Sequence, residues 1–330
     1  MTNLFLVKIV LGMHRFPTIS SGTAVTIGNY DGVHRGHSAV ISGLKEQAAS
    51  QGLPTVVVVF EPMPKEYFAP DAAPARLTNL YEKMQRLQEQ GVDWLIIQRF
   101  DAAFSSLSAE AWIEELLVKG LNAKLAVVGD DFRFGKRRCG DYGLLERSGA
   151  QYGFEVRDTA SYCLGEQRVS STAIRDALAA NQLASAVKML GRPYSVSGRI
   201  VEGDKRGRQL SFPTANVSLK RRNVALHGVF SVTATWRRRN GETGSANGVA
   251  NVGVRPTVDG SKESLEVHLL DFDSDPDDGE LYGARMSVTF CQYLRGEKKF
   301  ESLNQLQNAI ANDVVKAKEY FALNLGKMRV

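Results

Sequence analysis

The sequence has only three cysteines in 330 residues, Cys139, Cys163 and Cys291, and they are widely spaced. An odd number of distant cysteines is not typical of a disulfide framework, so we expect a reducing, cytoplasmic environment. The net charge is +5, which suits anionic nucleotides but is too small and too scattered for a nucleic-acid-binding protein. The apolar N-terminal stretch, residues 4–13, is interrupted by Lys8 and lacks a following cleavage site, so it predicts a strand rather than a secretory signal. We therefore expect no nucleic-acid or membrane partner.

The length and composition are typical of a globular protein of about two domains, with 43% hydrophobic and 23% charged residues. In the first half, strand and helix patterns alternate. Such alternation predicts an α/β fold with a parallel sheet and helices on both faces. The predicted strands are residues 23–27, 55–60, 94–98 and 125–128, and the predicted helices are residues 38–51, 80–90 and 109–119.

The pattern changes after a predicted helix at residues 181–190. From residue 195 onward, short alternating segments are separated by turns rich in Gly and Asp, which indicates antiparallel β-structure. Examples are residues 229–236, 265–270 and 286–290. A long amphipathic pattern between Leu303 and Phe321 predicts a C-terminal helix. We expect a barrel-like second domain, with a hinge near residues 187–192 that separates domains 1–186 and 187–330.

Two of the five histidines, His34 and His37, lie in a glycine-rich run between the first predicted strand and helix. A helix N-terminus presents unpaired N–H groups, and glycines such as Gly28 let the backbone approach a phosphate. Imidazoles three residues apart share one face of a helical turn, where both can donate to phosphate oxygens. The alternatives are a turn with incidental histidines, or a His-x-x-His metal pair.

This run resembles the signature Gly-Asn-Phe-Asp-Gly-Val-His-x-Gly-His of bacterial bifunctional riboflavin kinase/FAD synthetases, with Tyr30 where Phe is usual. The same histidine pair occurs in other adenylyl- and cytidylyltransferases, so alone it specifies only the superfamily. The resemblance implies that Gly28, Asp31, His34 and His37 bind ATP. In that family the two histidines stabilise the charge that develops when the α-phosphate is attacked.

A second run, residues 129–135, follows the strand predicted at 125–128. Ligands of such sheets bind beyond the carboxyl ends of the strands, where this run meets the histidines and the residues after 60. By resemblance, Asp131 faces the adenosine of ATP, and Phe132 or Phe134 shapes the crevice. The alternative is a tight turn with a capping Asp and buried phenylalanines.

A third run, residues 168–175, places Ser170 or Ser171 as a helix N-cap with Arg175 one turn on. Hydroxyls and a guanidinium at a helix N-terminus form a phosphate cradle, although a capped surface helix has a similar pattern. The run matches the family's Ser-Ser-Thr-x-x-Arg signature. That resemblance implies that Ser171, Thr172 and Arg175 bind the β- and γ-phosphates and replace the lysine of related enzymes.

In the second domain, Thr214 and Asn216 lie two residues apart on an extended segment, so their side chains face the same way. Both offer oxygen ligands suited to Mg²⁺. The glycines before them match neither a phosphate-binding loop nor a dinucleotide fingerprint, and a plain loop and hairpin is the alternative. The segment resembles the riboflavin kinase motif Gly-Arg-x-Leu-Gly-Phe-Pro-Thr-Ala-Asn, with Ser211 in place of the second Gly. The resemblance places Gly203, Gly207 and Arg208 in the ATP and flavin site.

Glu266 and His268 share one face of a predicted strand, opposite three apolar residues. Phosphorylation of an alcohol requires alignment, metal charge and a group that accepts the hydroxyl proton, and Glu266 is the best candidate base. A solvated outer face is the alternative. The family's Glu-x-His segment matches here, and its Glu is the catalytic base. By resemblance, three further residues line the flavin and nucleotide pockets: Asn251, Arg255 and Arg295.

The resemblance covers nearly the whole chain in the family's order. It implies phosphorylation of riboflavin by ATP to FMN in the second domain, with Mg²⁺ as cofactor. FMN then attacks the α-phosphate of a second ATP in the first domain, which gives FAD and pyrophosphate. Two alternatives remain. One is a nucleotidyltransferase for another phosphate ester with a non-catalytic second domain, and the other is a non-enzymatic flavin- or nucleic-acid-binding protein.

Overall fold

The structure, a computed structural model, describes residues 7–129, 131–203, 212–221, 223–257, 260–272 and 281–324, with the backbone alone at 255–257 and 260–262. The chain divides into two compact units. The first comprises Met1–Pro74 and Leu80–Ser171, and the second comprises Ala75–Asn79 and Thr172–Val330. The domain boundary at residues 186 and 187 stays a prediction.

The first unit is built on a parallel sheet that has six strands within the described residues, in the order β1-β4-β3-β2-β5-β6. The strands are β1 (Lys8–Leu11), β2 (Thr23–Ile27), β3 (Thr55–Glu61), β4 (Trp94–Arg99), β5 (Ala123–Gly129) and β6 (Glu155–Thr159). The helices are α1 (Arg35–Ser50), α2 (Pro64–Phe68), α3 (Leu80–Glu89), α4 (Ala102–Ser105), α5 (Ala109–Trp112) and α6 (Tyr142–Tyr152). A short hairpin follows, β7 (Cys163–Leu164) with β8 (Gln167–Arg168).

The central strands are buried on both sides, which explains their continuous apolar sequence. On one face, Val56 and Val58 of β3 pack in a cluster with Trp112. On the other, Val57 and Val59 pack against residues of α1 and α3. The predicted parallel sheet with helices on both faces is therefore confirmed.

The helix predicted at residues 109–119 has a different geometry. It is α-helical over Ala109–Trp112 and continues as a π-helix over Ile113–Gly120. The amide of Leu121 donates to the carbonyl of Leu116, five residues earlier, at 3.0 Å. The wider turn places Ile113, Leu117 and Leu121 on one side, and all three are fully buried.

The second unit contains a closed antiparallel barrel in the order β10-β13-β12-β11-β14-β9. Its strands are β9 (Ser195–Val201), β10 (Ala215–Ser218), β11 (Gly228–Arg237), β12 (Thr243–Thr257), β13 (Gly260–Leu269) and β14 (Arg285–Arg295). The helices are α7 (Ser171–Ala179), α8 (Leu183–Leu190) and α9 (Leu303–Asn324). Helix α9 packs through Ala317 and Phe321 against Val229 and Val249 on the outside of the barrel. The predicted barrel and terminal helix are confirmed.

Candidate active sites

The turn after β2 is held in an unusual backbone conformation. Tyr30, Gly32 and Val33 all have positive φ values, of 47°, 87° and 39°. This region is costly for a β-branched residue such as Val33, so the surrounding contacts must enforce it. The Tyr30 hydroxyl is 2.7 Å from the Thr26 hydroxyl, and both side chains are buried. Burial raises the pKa of the Tyr30 phenol, so the hydroxyl keeps its proton. The hydroxyl that distinguishes Tyr30 from the family's Phe is therefore hydrogen-bonded inside the turn.

His34 and His37 cap helix α1 reciprocally. The His37 amide donates to Nδ1 of His34 at 3.3 Å, and the His34 amide donates to Nδ1 of His37 at 3.4 Å. The two rings are stacked, with centroids 3.6 Å apart. Because each Nδ1 accepts a backbone N–H, the proton of each neutral ring lies on Nε2. Helix α1 therefore begins at Arg35, three residues before the predicted start, because His34 itself is the cap.

Helix α7 begins at Ser171, whose hydroxyl donates to the carbonyl oxygen of Asp31 at 2.9 Å. This contact joins two of the predicted phosphate-binding runs within the first unit. The division into units falls inside α7, so Thr172 and Arg175 belong to the second unit. Thr172 is exposed, and the Nε of Arg175 donates to the carbonyl oxygen of Ala75 at 2.6 Å.

The run after β5 combines an exposed carboxylate with one half-buried and one buried aromatic ring. Asp131 forms a salt bridge with Arg168, with 3.2 Å between Oδ2 and Nη2. The rings of Phe132 and Phe134 stack at 5.6 Å, and Phe134 also packs against Trp112 at 4.6 Å. Asp130 lies outside the described residues. This run thus supplies both a polar rim and an apolar wall.

A cavity of about 1040 Å³ opens at this edge of the first unit, where it meets Gly28 and Asp131. That volume is at the upper end for small-molecule sites. One wall is aromatic. It is formed by Phe60, Phe68, Phe100, Phe104, Trp112 and Phe134. Planar rings of this kind stack well on a planar ligand.

The same cavity is also lined by cations, among them Lys65, Lys136, Arg137 and Arg138. Aromatic rings beside cations suit a ligand with a flat ring system and a phosphate group. Of these lining residues, Gly28, Asp131, Phe132 and Phe134 were predicted from the sequence as parts of the site. The signal in the sequence was that Phe60 lies near the end of β3, Phe100 follows β4 and the run 136–138 lies in the loop after β5, at the edge of the sheet where ligands bind.

In the second unit, three polar side chains form a row across adjacent strands of the barrel. Asn216 of β10 is paired with Glu266 of β13, and Glu266 is paired with Asn251 of β12. All three are half-buried. The alternate residues on these strands are buried, namely Ala215, Val217, Ala250, Val252, Leu265 and Val267. The row therefore lies on the outer face of the barrel, the face on which α9 packs.

Thr214 directly precedes β10 and is half-buried, two residues before Asn216. Gly203 approaches the same amide very closely, since a Cβ at this position would lie 2.1 Å from Nδ2 of Asn216. A larger residue at position 203 would displace the Asn216 amide, which glycine leaves in place. Two of the predicted kinase-site residues, Gly203 and Asn216, are thus in direct contact.

The donor set at this row fits Mg²⁺. Thr214 and Asn216 offer a hydroxyl and an amide oxygen, and Glu266 adds a carboxylate in the neighbouring strand. Hard oxygen donors are the ligands that Mg²⁺ prefers. Among the described residues, no group of three or more His, Cys, Asp or Glu side chains could hold a metal ion.

Arg295 at the end of β14 is held by helix α9. Its Nε and Nη2 contact the carboxylate of Asp313 at 3.0 and 2.8 Å, and Asp313 is almost fully buried. This fork ties the guanidinium to the helix. Of the other predicted residues, Gly207 and Arg208 lie outside the described residues, and Arg255 is described by its backbone in β12 alone.

A parallel α/β unit with a helix cap made of two imidazoles, followed by a barrel with an oxygen-rich row, defines a nucleotide-dependent transferase with two units. Comparison with known families agrees. Residues 16–173 match the FAD synthetase family, and residues 190–321 match the riboflavin kinase family.

Curated relatives match the chain over nearly its full length. The bifunctional riboflavin kinase/FMN adenylyltransferase of Escherichia coli K12 is 47% identical over 96% of this chain and 98% of its own. The enzymes of the same name from Pseudomonas fluorescens and Haemophilus influenzae are 45% and 42% identical, over 94% and 95% of this chain and 97% and 99% of theirs. The chain belongs to the bifunctional riboflavin kinase/FMN adenylyltransferase family. The resemblance seen in the sequence is confirmed.

A crystal structure of a macrolide-efflux protein from Streptococcus pneumoniae has the same fold. It aligns with a TM-score of 0.76 and 27% identity, over 94% of this chain and 99% of that one. Its name describes a different activity from that of the curated relatives. Within the part of our chain that the structure describes, no helix is long and apolar enough to cross a membrane.

Proposed function

We propose that this chain phosphorylates riboflavin with ATP to FMN in its second unit and then transfers AMP from ATP to FMN in its first unit, releasing pyrophosphate and FAD. The observation that carries this proposal is that one chain of this family holds both the reciprocal histidine cap and the Asn216–Glu266–Asn251 row. We place the reactions in the cytoplasm, since Cys139 and Cys163 are exposed free thiols.

For riboflavin phosphorylation, Glu266 acts as the base that accepts the proton of the ribityl hydroxyl. Thr214 and Asn216 would hold Mg²⁺, which when bound would neutralise charge on the ATP phosphates. Gly203, Gly207 and Arg208 contact ATP or the flavin. Neutral donors from Asn251 and the cations of Arg255 and Arg295 line the flavin and nucleotide pockets. For Arg295, this contact uses a guanidinium that Asp313 already orients.

For adenylyl transfer, the Nε2–H groups of His34 and His37 donate to the oxygens of the α-phosphate. They stabilise the negative charge that grows there as the FMN phosphate attacks. The N–H groups at the start of α1 add to this positive potential. Phosphate oxygen attacks phosphorus and pyrophosphate leaves, so the step requires no covalent enzyme intermediate.

The other residues predicted for adenylyl transfer bind the two substrates. Ser171, Thr172 and Arg175 bind the β- and γ-phosphates of ATP, while Gly28, Asp31 and Asp131 contact its adenosine and α-phosphate region. FMN binds in the aromatic cavity. The isoalloxazine ring stacks on the phenylalanines, and the phosphate of FMN is attracted by the run of cations at residues 136–138.

The alternative function, adenylyl transfer to another phosphate ester with a non-catalytic second unit, is disfavoured. A barrel that only bound a flavin would not require a carboxylate beside the oxygen donors that suit Mg²⁺, yet Glu266 is paired with Asn216. Both family matches also extend over the residues that would carry out catalysis.

The experiment that tests the proposal is a flavin assay. Purified protein is incubated with riboflavin, ATP and Mg²⁺, and the flavins are separated by chromatography. We expect FMN to accumulate first and FAD to follow, with both lost when Mg²⁺ is chelated. Absence of both products would disprove the proposal, and FMN without FAD would disprove its second half.

A further inference from the structure

A histidine next to the proposed kinase site makes a contact that the proposed mechanism does not use. His268 follows Glu266 by two residues on β13, so the two side chains lie on the same face of the strand. Its Nδ1 is 2.9 Å from the carbonyl oxygen of Pro213. Because a carbonyl oxygen can only accept, Nδ1 carries the hydrogen and donates. The bond therefore forms whether the ring is neutral or protonated.

The acceptor, Pro213, is the residue directly before Thr214. Strand β10 is paired with β13 from Ala215 onward, where Ala215 lies opposite Val267. Proline has no N–H and therefore cannot donate a hydrogen bond that would extend this ladder. The side chain of His268 instead donates to the Pro213 carbonyl, two residues before Ala215, and so attaches this segment to β13. The ring of Phe212 packs edge-on against the imidazole, with centroids 5.4 Å apart. His268 thus holds the segment 212–214 against β13.

We propose that His268 is a positioning residue for riboflavin phosphorylation. It fixes the backbone before Thr214, so that the Thr214 hydroxyl and the Asn216 amide are held together beside Glu266, where they would bind Mg²⁺. This inference rests on the proposed function of the second unit. His268 touches neither substrate nor metal in this role, and it acts through the Pro213 carbonyl.

Three substitutions test the contact. Nδ2 of an asparagine lies close to the position of a histidine Nδ1, so His268→Asn keeps the donor. His268→Gln moves the donor away while conserving polarity, and His268→Leu removes it. We expect the magnesium concentration for half-maximal riboflavin phosphorylation to rise about tenfold or more in His268→Leu and in His268→Gln. In His268→Asn it should stay within about threefold of the original value.

A readout independent of turnover is hydrogen exchange of the backbone amides in residues 212–218, measured without nucleotide or metal. We expect exchange about fivefold faster in His268→Leu, the change that corresponds to the loss of one hydrogen bond, and little change in His268→Asn. FAD formation from supplied FMN, measured on the same preparations, should be unaffected. If the leucine variant aggregates, the comparison of His268→Gln with His268→Asn decides the matter.

The inference is overturned if all three variants have the same magnesium dependence and exchange as the original chain, or if asparagine behaves like leucine. Failure of the proposed function has a different signature. If Thr214→Ala leaves riboflavin phosphorylation and its magnesium dependence unchanged, the assignment of Thr214 is wrong whatever the His268 variants do. If Thr214→Ala abolishes phosphorylation while the His268 variants change nothing, the positioning role alone is wrong.

Discussion

The two candidate sites are assembled in opposite ways. In the first unit, the histidines are three residues apart and orient each other through their own backbone amides. In the second, Asn216 and Glu266 are fifty residues apart in the sequence and meet only through the pairing of β10 with β13. The first site depends on one turn and one helix start, while the second depends on the register of a whole barrel. A substitution in one site should therefore lower the activity of that site and leave the other activity unchanged.

The largest separation is expected from Glu266→Gln. The amide cannot accept the hydroxyl proton, so riboflavin phosphorylation should fall by roughly 10²- to 10⁴-fold. FAD formation from supplied FMN should stay within about twofold of the original rate, because it does not need this carboxylate. Flavin chromatography with each substrate supplied in turn gives both rates. Equal loss of both would show that the sites are not independent.

The converse is expected from His37→Ala, which should lower FAD formation by roughly 10²- to 10³-fold and spare FMN formation. His37→Asn is the matched control, since its side-chain oxygen can replace Nδ1 as the acceptor for the His34 amide but brings no group to the position of Nε2. We expect it to be as slow as the alanine variant but more stable. Recovery of FAD formation in His37→Asn would mean that the cap, and not the Nε2 donor, is required.

The local construction of the first site can be tested through the buried pair of Tyr30 and Thr26. Removing one hydroxyl leaves the other buried without its partner, so Tyr30→Phe should destabilise the first unit by about 1 to 2 kcal/mol. Adding Thr26→Val should cost little more, because no unsatisfied hydroxyl remains. Urea denaturation followed through FAD formation measures this. A double variant whose loss equals the sum of the single losses would contradict the coupling.

The smallest effect is expected at the barrel, where His227 next to β11 bonds the largely buried Glu263 of β13 at 3.0 Å. The hydrogen bond to Glu263 raises the pKa of His227, against a smaller lowering by burial. A histidine whose pKa is higher in the folded state contributes its full stabilisation below the unfolded-state pKa of about 6.5. This contribution is lost as the pH rises through the higher folded-state pKa.

His227→Gln should therefore lower the melting temperature at pH 5.5 and leave it nearly unchanged at pH 9. Because the His227 side chain is 44% exposed, the difference should stay below about 1 kcal/mol. A larger loss of melting temperature at pH 9 than at pH 5.5 would contradict the expected direction of the pH dependence.

The sequence predicted the elements whose signal is local. Strand β2 has the predicted bounds, because its five consecutive residues are all buried and four of them are β-branched. Helix α1 began earlier than predicted because a histidine is an uncommon cap and the apolar period starts later. The π-helix at Ile113–Gly120 could not be predicted, since the same buried pattern is compatible with an α-helix.

The candidate sites were predictable to the extent that their motifs are contiguous. The two histidines could be placed on one helical turn from spacing alone. In contrast, the pairing of Glu266 with Asn216 and Asn251 depends on strand register, which no local pattern encodes. Arg295 in a strand contacts Asp313 in a helix, eighteen residues later, and the aromatic cavity combines side chains from several strands, helices and loops. These features arise from tertiary packing.

The alternation of the barrel strands has a practical consequence. A slip of one residue in β13 would turn Glu266 toward the interior and Val267 toward the solvent, so a misassembled barrel could not phosphorylate riboflavin. Recovery of FMN synthesis after dilution from urea would then report native register directly, which neither circular dichroism nor compactness can do. Riboflavin phosphorylation would therefore serve as an assay for correct refolding of the barrel.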